Sequence, residues 1–289
     1  MSDEQARAVL EAAWESGVRY FDTAPHYGLG LSERRLGSFL ATKPRAEFVV
    51  STKAGRLLRP SPETADRQDD QFAVPASLRR VWDFSARGVR ASLEESLERL
   101  GLDAVDVLYM HDPDEHDLGP DIASGAPALA ALRDEGLVAA IGIGSKSTEA
   151  LLAAVRTEAL DLAMIAGRYT LLEQPALDAV IPACRALGVG VVAASVFNSG
   201  LLATPDPQAG DRYEYGAAPD ELLERAQRLA ELCARHGVEL PAAALQFPLR
   251  EPAVRWVVAG GATAEHVREN ARRMRAELPD GLWEELGAA

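Results

Sequence analysis

Short apolar runs alternate with longer amphipathic stretches along nearly the whole chain. Ser2-Asp-Glu caps an amphipathic stretch that runs to about Ser16, Gly17 supplies the stop, and a strand is predicted over 19–23. Ser32 caps a helix to about Leu40, and Glu47-Phe-Val-Val-Ser-Thr-Lys53 reads as a buried strand. A helix over 85–100, with apolar residues at Val89, Leu93, Leu97 and Leu100, leads to a strand over 105–111. The same order repeats as helix 125–135 and strand 138–144, helix 147–157 and strand 162–165, helix 174–187 and strand 189–195. Helices 219–236 and 241–248 precede strand 254–259, and helices 264–276 and 280–287 finish the chain. Two long polar segments interrupt this pattern. The segment 54–83 holds Pro60, Pro62 and Pro75 and reads as a lid or substrate loop, and 196–218 is a loop rich in Gly, Pro and Asp.

Near-continuously apolar strands separated by helices define a parallel sheet covered by helices. Over 289 residues this predicts one α/β domain, 1–289, of the TIM (β/α)8 barrel type. Only seven strands are predicted, because the chain opens on a helix. The expected barrel therefore lacks its first strand and exposes two sheet edges and part of its core.

A hydrophobic content of 47% suffices for a large core, and a net charge of -14 disfavours nucleic acid and anionic membrane as partners. No apolar run reaches membrane-spanning length and the polar start lacks a signal-peptide pattern, so a cytoplasmic location is expected. Monomer and homo-oligomer are equally compatible with this composition. Cys184 and Cys233 lie far apart in predicted helices and read as reduced structural thiols.

The chain has three lysines, Lys43, Lys53 and Lys146, and Lys53 closes a buried strand. A cation there is costly to desolvate without a counter-charge or a chemical role. Asp22, Tyr27 and His111 also fall at or just beyond predicted strand ends, the barrel face where chemistry gathers. A phenol has an ordinary pKa of about 10, and a nearby Lys53 is expected to lower that of Tyr27, with Asp22 keeping the lysine charged and His111 orienting a substrate oxygen. Each residue also has a plain reading: Asp22 as a cap, Tyr27 as an interface residue, His111 as a loop histidine. No metal is expected, because His111, Asp112 and His116 are supported by no further ligand cluster.

Gly17-Val-Arg-Tyr-Phe-Asp-Thr-Ala-Pro-His-Tyr-Gly28, Ser32-Glu-Arg-Arg-Leu-Gly37, Ser51-Thr-Lys53 and Leu108-Tyr-Met-His111 resemble the aldo-keto reductase family, and the match extends to Gly260-Gly-Ala-Thr-Ala-Glu-His-Val-Arg-Glu-Asn270. The resemblance implies an eight-stranded barrel, an extended nicotinamide cofactor, and a tetrad of Asp22, Tyr27, Lys53 and His111. His111-Asp-Pro-Asp-Glu-His116, Gly167-Arg-Tyr-Thr-Leu-Leu-Glu-Gln174 and Ser195-Val-Phe-Asn-Ser-Gly-Leu-Leu202 are most similar to the aldose 1-dehydrogenase branch, which oxidises a sugar's anomeric hydroxyl to a lactone.

By the same resemblance, Ser145 offers its hydroxyl to the carboxamide, while Lys146 and Ala166-Gly-Arg168 depart from the usual Asn and Gln, for which Arg168 or Tyr169 is the candidate substitute. Ala194 replaces the usual stacking aromatic, for which Phe197 is the candidate substitute. Ser195, Ser199, Gly200 and Leu201 wrap the pyrophosphate through backbone N–H groups. Gly260, Gly261, Thr263, Glu269 and Asn270 fall at the adenosine end. Gly260 and His266 stand where the family commonly has cations for a 2′-phosphate, which favours NAD over NADP while Arg268 and Arg272 leave dual use open. Arg56, Trp82 and Asp112 are the candidate contacts to a sugar or alcohol substrate. The expected activity is NAD(P)-dependent oxidation of an aldose of the L-fucose or D-arabinose type. The competing readings are a pyridoxal-oxidising enzyme of the same branch, or a catalytically weak nicotinamide-binding or assembly protein with an incomplete barrel.

Overall fold

The computed structural model describes residues 1–214 and 216–288. Helix α1 (Asp3–Glu15) starts with a reciprocal cap, in which Ser2 Oγ accepts from the Gln5 N–H at 3.2 Å and Gln5 Oε1 accepts from the Ser2 N–H at 2.8 Å. The chain then turns through Gly17 at φ +84° into strand β1 (Tyr20–Asp22). Helix α2 (Leu31–Leu40) and strand β2 (Val49–Ala54) follow. The segment 54–83, expected as a lid or substrate loop, contains an antiparallel hairpin of β3 (Arg56–Pro60) and β4 (Leu78–Trp82). Gly55 makes the entry at φ +107°, where a Cβ would lie 2.2 Å from the Phe84 ring.

Helix α3 (Ala86–Leu100), capped by Ser85 and stopped by Gly101, leads to β5 (Val107–His111). Helix α4 (Leu118–Asp134) begins seven residues before the expected 125, because Pro120, Gly125 and Pro127 conceal its signal. Pro120 sits in the first turn, where the N–H has no intrahelical acceptor, and Ile122, Ala126, Leu129 and Leu132 carry the buried face. Strand β6 (Ala140–Ser145), helix α5 (Thr148–Val155), strand β7 (Leu162–Ala166), helix α6 (Val180–Leu187) and strand β8 (Gly190–Ala194) continue the alternation. The expected helix 174–187 is split, with a 3₁₀ turn at Pro175–Leu177 ahead of α6. The second long loop contains a small hairpin of β9 (Arg212–Tyr213) and β10 (Gly216–Ala217). Helices α7 (Asp220–Arg235) and α8 (Leu240–Gln246), strand β11 (Val254–Val258), and helices α9 (Ala264–Met274) and α10 (Asp280–Ala288) complete the fold.

The seven strands β1-β2-β5-β6-β7-β8-β11 pair in parallel in that order and form a nearly closed barrel. Period-two alternation divides each strand. Val50 and Leu108 face the helices and join the main core, whereas Tyr109, Met164, Val192 and Ala194 join a separate cluster inside the barrel. A further cluster, including Leu171, Leu201, Leu229 and Leu282, seals the base of the second loop against α7, α8 and α10. Cys184 and Cys233 are buried and unpaired, as expected. Among the described residues no helix is long and apolar enough to cross a membrane.

Closure is incomplete where the missing strand was expected. Among the described residues β1 pairs only with β2 and β11 only with β8, and a cavity of about 1050 Å³ opens between them under α1, α2 and α9. Tyr20 and Trp256 meet edge to face across this gap at 6.0 Å.

Candidate active site

Four of the candidate residues converge at the carboxyl end of the barrel. Asp22 ends β1, Lys53 lies in β2 and His111 ends β5, so the parallel register sets all three on inward positions of neighbouring strands. Tyr27 comes from the short loop after β1. Lys53 Nζ donates to Asp22 Oδ2 at 2.5 Å and to the Thr23 carbonyl at 3.0 Å, and lies 4.8 Å from the centre of the Tyr27 ring. Ser51 donates to the other Asp22 oxygen at 2.6 Å. The His111 ring stands edge to face with Tyr27, 5.6 Å between centres.

Lys53 and His111 are buried and Asp22 and Tyr27 half-buried, and burial governs the ionisation of Lys53, His111 and Tyr27. Burial works against the Lys53 ammonium, but Asp22 and then Tyr27 outweigh it and raise its pKa. Burial followed by the charges of Lys53 and Arg56 holds His111 well below the usual histidine range, so the ring is neutral. The sequence-based expectation for Tyr27 needs correction. Lys53 does pull its pKa down, but burial acts more strongly, and the net shift of the phenol is upward. The ammonium therefore limits a penalty rather than producing an acidic phenol. Asp112 is pushed up to about 6, because burial exceeds the opposing pull of Arg56.

The three candidate substrate contacts form one wall. Arg56 and Asp112 are ion-paired, Arg56 also reaches Glu115 at 3.1 Å, and its guanidinium covers the Trp82 ring at 4.4 Å. Trp82 stacks on His116, which is held by Asp121 at 2.8 Å. Asp112 adopts φ +44°, and its carboxylate lies 3.4 Å from His111 Nε2. Among the described residues, two buried nitrogens of this group, Arg56 Nε and His111 Nδ1, have no hydrogen-bond partner.

The candidate cofactor residues separate into groups. Ser195, Asn198, Ser199 and Gly200 all take positive φ, from +46° to +111°, and fold the chain into a tight turn after β8. Within the turn the N–H groups of Asn198, Gly200 and Leu201 donate to the carbonyls of Ser195, Phe197 and Asn198 at 3.0, 3.0 and 3.3 Å, so, against the sequence-based expectation, those of Gly200 and Leu201 close the turn rather than face a pyrophosphate; a Cβ added at Gly200 would meet nothing within 4 Å. Leu201 and Phe197 pack into the hydrophobic clusters beneath, so Phe197 serves the core as well as the turn. Ser145 donates to Asp114 at 2.7 Å and accepts from the Ser147 N–H. Arg168 donates to the Lys146 carbonyl at 3.0 Å and pairs with Glu214 at 2.5 Å, pinning the β9–β10 hairpin. Gly260, Gly261 and Asn270 line the same cavity as Asp22 and Tyr27. Thr263 caps α9 by accepting from the His266 N–H, and Glu269 pairs with Arg273.

His26, Arg80, Asp69 and Phe72 were missed from the sequence. Arg80 Nε donates to His26 Nδ1 at 2.7 Å, Arg80 also forms a two-point pair with Asp69 at 2.7 and 3.0 Å, and Phe72 contacts both His26 and Tyr27. The hairpin expected as a lid is thereby latched over the tyrosine. The available signal was the adjacency of His26 to Tyr27 in Ala24-Pro-His-Tyr27.

A parallel barrel with buried Lys53 and His111 and half-buried Asp22 and Tyr27 at its carboxyl mouth defines a class of α/β barrels with an ionisable cluster at that face. The profile described as the Aldo/keto reductase family matches residues 1–289, and the chain belongs to that family. It is therefore an oxidoreductase of a family that uses NAD(P). It is 60% identical to a D-threo-aldose 1-dehydrogenase from a Pseudomonas species, over 100% of this chain and 89% of the relative. It is 36% identical to a pyridoxal 4-dehydrogenase from Microbacterium luteolum, over 99% of this chain and 88% of the relative. The fold matches the holo form of an aldo-keto reductase from Bacillus halodurans with a TM-score of 0.78 at 22% identity, covering 99% of this chain and 87% of that one.

Proposed function

We propose that this protein oxidises the anomeric hydroxyl of an aldose to the lactone, with Tyr27 as the acid/base, and that it prefers NAD over NADP. The observation that carries this reading is the buried Lys53 ammonium, held between Asp22 at 2.5 Å and the Tyr27 ring at 4.8 Å. A lysine so placed has no solvent role, and its charge acts on the phenol. When bound, the nicotinamide supplies the hydride acceptor. The chain's own residues manage the proton: Tyr27 accepts it from the sugar hydroxyl, and Lys53 stabilises the phenolate. Asp22 keeps the ammonium charged. Neutral His111 hydrogen-bonds the sugar oxygen and fixes its position.

The polar wall of Arg56, Asp112 and Glu115 supports a polyhydroxylated substrate over a flat heteroaromatic one. The 60% identity to a D-threo-aldose 1-dehydrogenase supports the same choice over the pyridoxal enzyme at 36%. NAD preference is supported by Gly260 and His266, which offer no fixed cation for a 2′-phosphate, while Arg268 and Arg272 are exposed and pair with Glu15 at 3.4 Å and Glu239 at 3.3 Å. The test is absorbance of reduced nicotinamide on incubating the purified protein with L-fucose, D-arabinose, pyridoxal and a wider sugar panel, with each dinucleotide. Turnover of an aldose with NAD is expected. Absence of turnover across the aldoses while the dinucleotide still binds would overturn the proposal.

A further inference from the structure

His26 is buried beside the reacting groups yet belongs to none of the four roles above. Its ring centre lies 5.9 Å from Tyr27 and 5.5 Å from His111, edge to face with both. Two guanidinium groups converge on a single ring nitrogen: Arg80 Nε at 2.7 Å and Arg56 at 3.5 Å from Nδ1. A guanidinium nitrogen has only protons to offer, so Nδ1 must present its lone pair. In a neutral imidazole the proton then resides on Nε2, across the ring from Arg80. Burial, then Arg56 and Arg80, hold His26 down to about 3, so the ring stays neutral throughout the working range. Among the described residues no protein group accepts from Nε2. The support is built in depth. Asp69 grips Arg80 at two points, and the N–H groups of Gln71 and Phe72 bind the same carboxylate at 3.1 and 3.0 Å. A histidine that served packing alone would not need an ion-paired arginine to set its tautomer.

We propose that His26 determines substrate specificity by donating its Nε2–H to a non-reacting hydroxyl of the aldose, with Asp69 and Arg80 as positioning residues that fix the donor. This rests on the aldose reading above and assigns one further contact within the same site. A carbonyl or alcohol substrate without a neighbouring hydroxyl leaves that N–H unpaired, so the site selects for polyols. The latch also couples specificity to the β3–β4 hairpin, since Asp69 and Arg80 both belong to that segment.

The experiment compares kcat/KM for a parent aldose with kcat/KM for aldoses lacking one hydroxyl at a time, in the wild type, His26→Phe and Arg80→Met. Phenylalanine keeps the ring against Tyr27 and Phe72 and removes the donor. The wild type should favour the parent over one deoxy analogue, and that preference should fall about tenfold in His26→Phe, as expected for loss of one neutral hydrogen bond. Arg80→Met should lose part of the same preference, because the shorter of the two guanidinium contacts to Nδ1 is then gone and Arg56 at 3.5 Å holds the tautomer less firmly. Long-range 1H–15N spectra of the wild-type protein should show His26 as the neutral Nε2–H tautomer near neutral pH. A His26→Phe enzyme that keeps the full preference, or a His26 protonated on Nδ1, overturns the proposal. A wild type that oxidises no aldose at all overturns the functional reading instead, so the two failures are distinguishable.

Discussion

Replacing Lys53 with methionine removes a cation from the most enclosed part of the site while keeping the length of the side chain. Lys53 is 2% exposed and Asp22 8%, so the variant leaves a buried carboxylate with Ser51 as its remaining side-chain donor. Breaking a buried pair in this way costs about 3–5 kcal/mol of stability. The phenol also loses the group that opposes its burial. Removing an opposite charge at such range raises a pKa by about 1–3 units, and Tyr27, already raised, moves further up. For oxidation the phenolate is the base, so the rising limb of kcat/KM against pH should shift upward by that interval. At fixed pH below the limb, the rate falls by about 10- to 1000-fold. The assay is kcat/KM for aldose oxidation against pH, with thermal unfolding and dinucleotide binding measured on the same preparation. Lys53→Met combined with Asp22→Asn removes both charges. That double variant should recover most of the stability and none of the rate. A single variant with a wild-type pH profile and a rate within threefold would refute the coupling of Lys53 to Tyr27.

Other outcomes follow from the same physics. Asp112 stands at about 6 in the folded chain against an ordinary 3.8. Between these values the folded state holds the extra proton, so this group makes stability fall as pH rises from about 4 to 6, by roughly 2–3 kcal/mol. Asp112→Asn should abolish that fall in urea-unfolding free energies, and an unchanged pH dependence would count against the shift. Gly55→Ala demands a Cβ 2.2 Å from Phe84 at φ +107°, and it should destabilise the fold by about 2–4 kcal/mol in denaturant titrations. A loss below about 0.5 kcal/mol would mean that the hairpin entry yields more easily than its geometry implies.

The sheet was legible because most of its strands, β2 and β5 to β8, are buried on both faces and read as short apolar runs between amphipathic helices. Strands β2 and β5 carry Lys53 and His111 at inward positions, so the four residues singled out at strand ends lie side by side at one face of the barrel. The β3–β4 hairpin was not legible. Its strands carry Arg56, Arg59, Arg79 and Arg80, and the prolines between them resemble loop punctuation. The pairing is set by contacts to α3, His26 and Asp112 that no local pattern announces. Helix α4 was shortened for a related reason, since Pro120 and Pro127 are tolerated in a helix whose apolar face is already buried. The direction of the Tyr27 shift was missed because sequence names the neighbouring charge but not the depth of burial. His26 was passed over because its partners Asp69 and Arg80 lie far along the chain and join it only through the hairpin.

The account stands on Tyr27 as the group that moves the proton. Single-turnover mixing of Tyr27→Phe with bound dinucleotide and a substrate aldose measures this directly, with dinucleotide affinity determined alongside. Dinucleotide affinity within about twofold of the wild type, together with a chemical step slowed by at least about 1000-fold, is the predicted result. A Tyr27→Phe protein that forms reduced nicotinamide within about tenfold of the wild-type rate would contradict it.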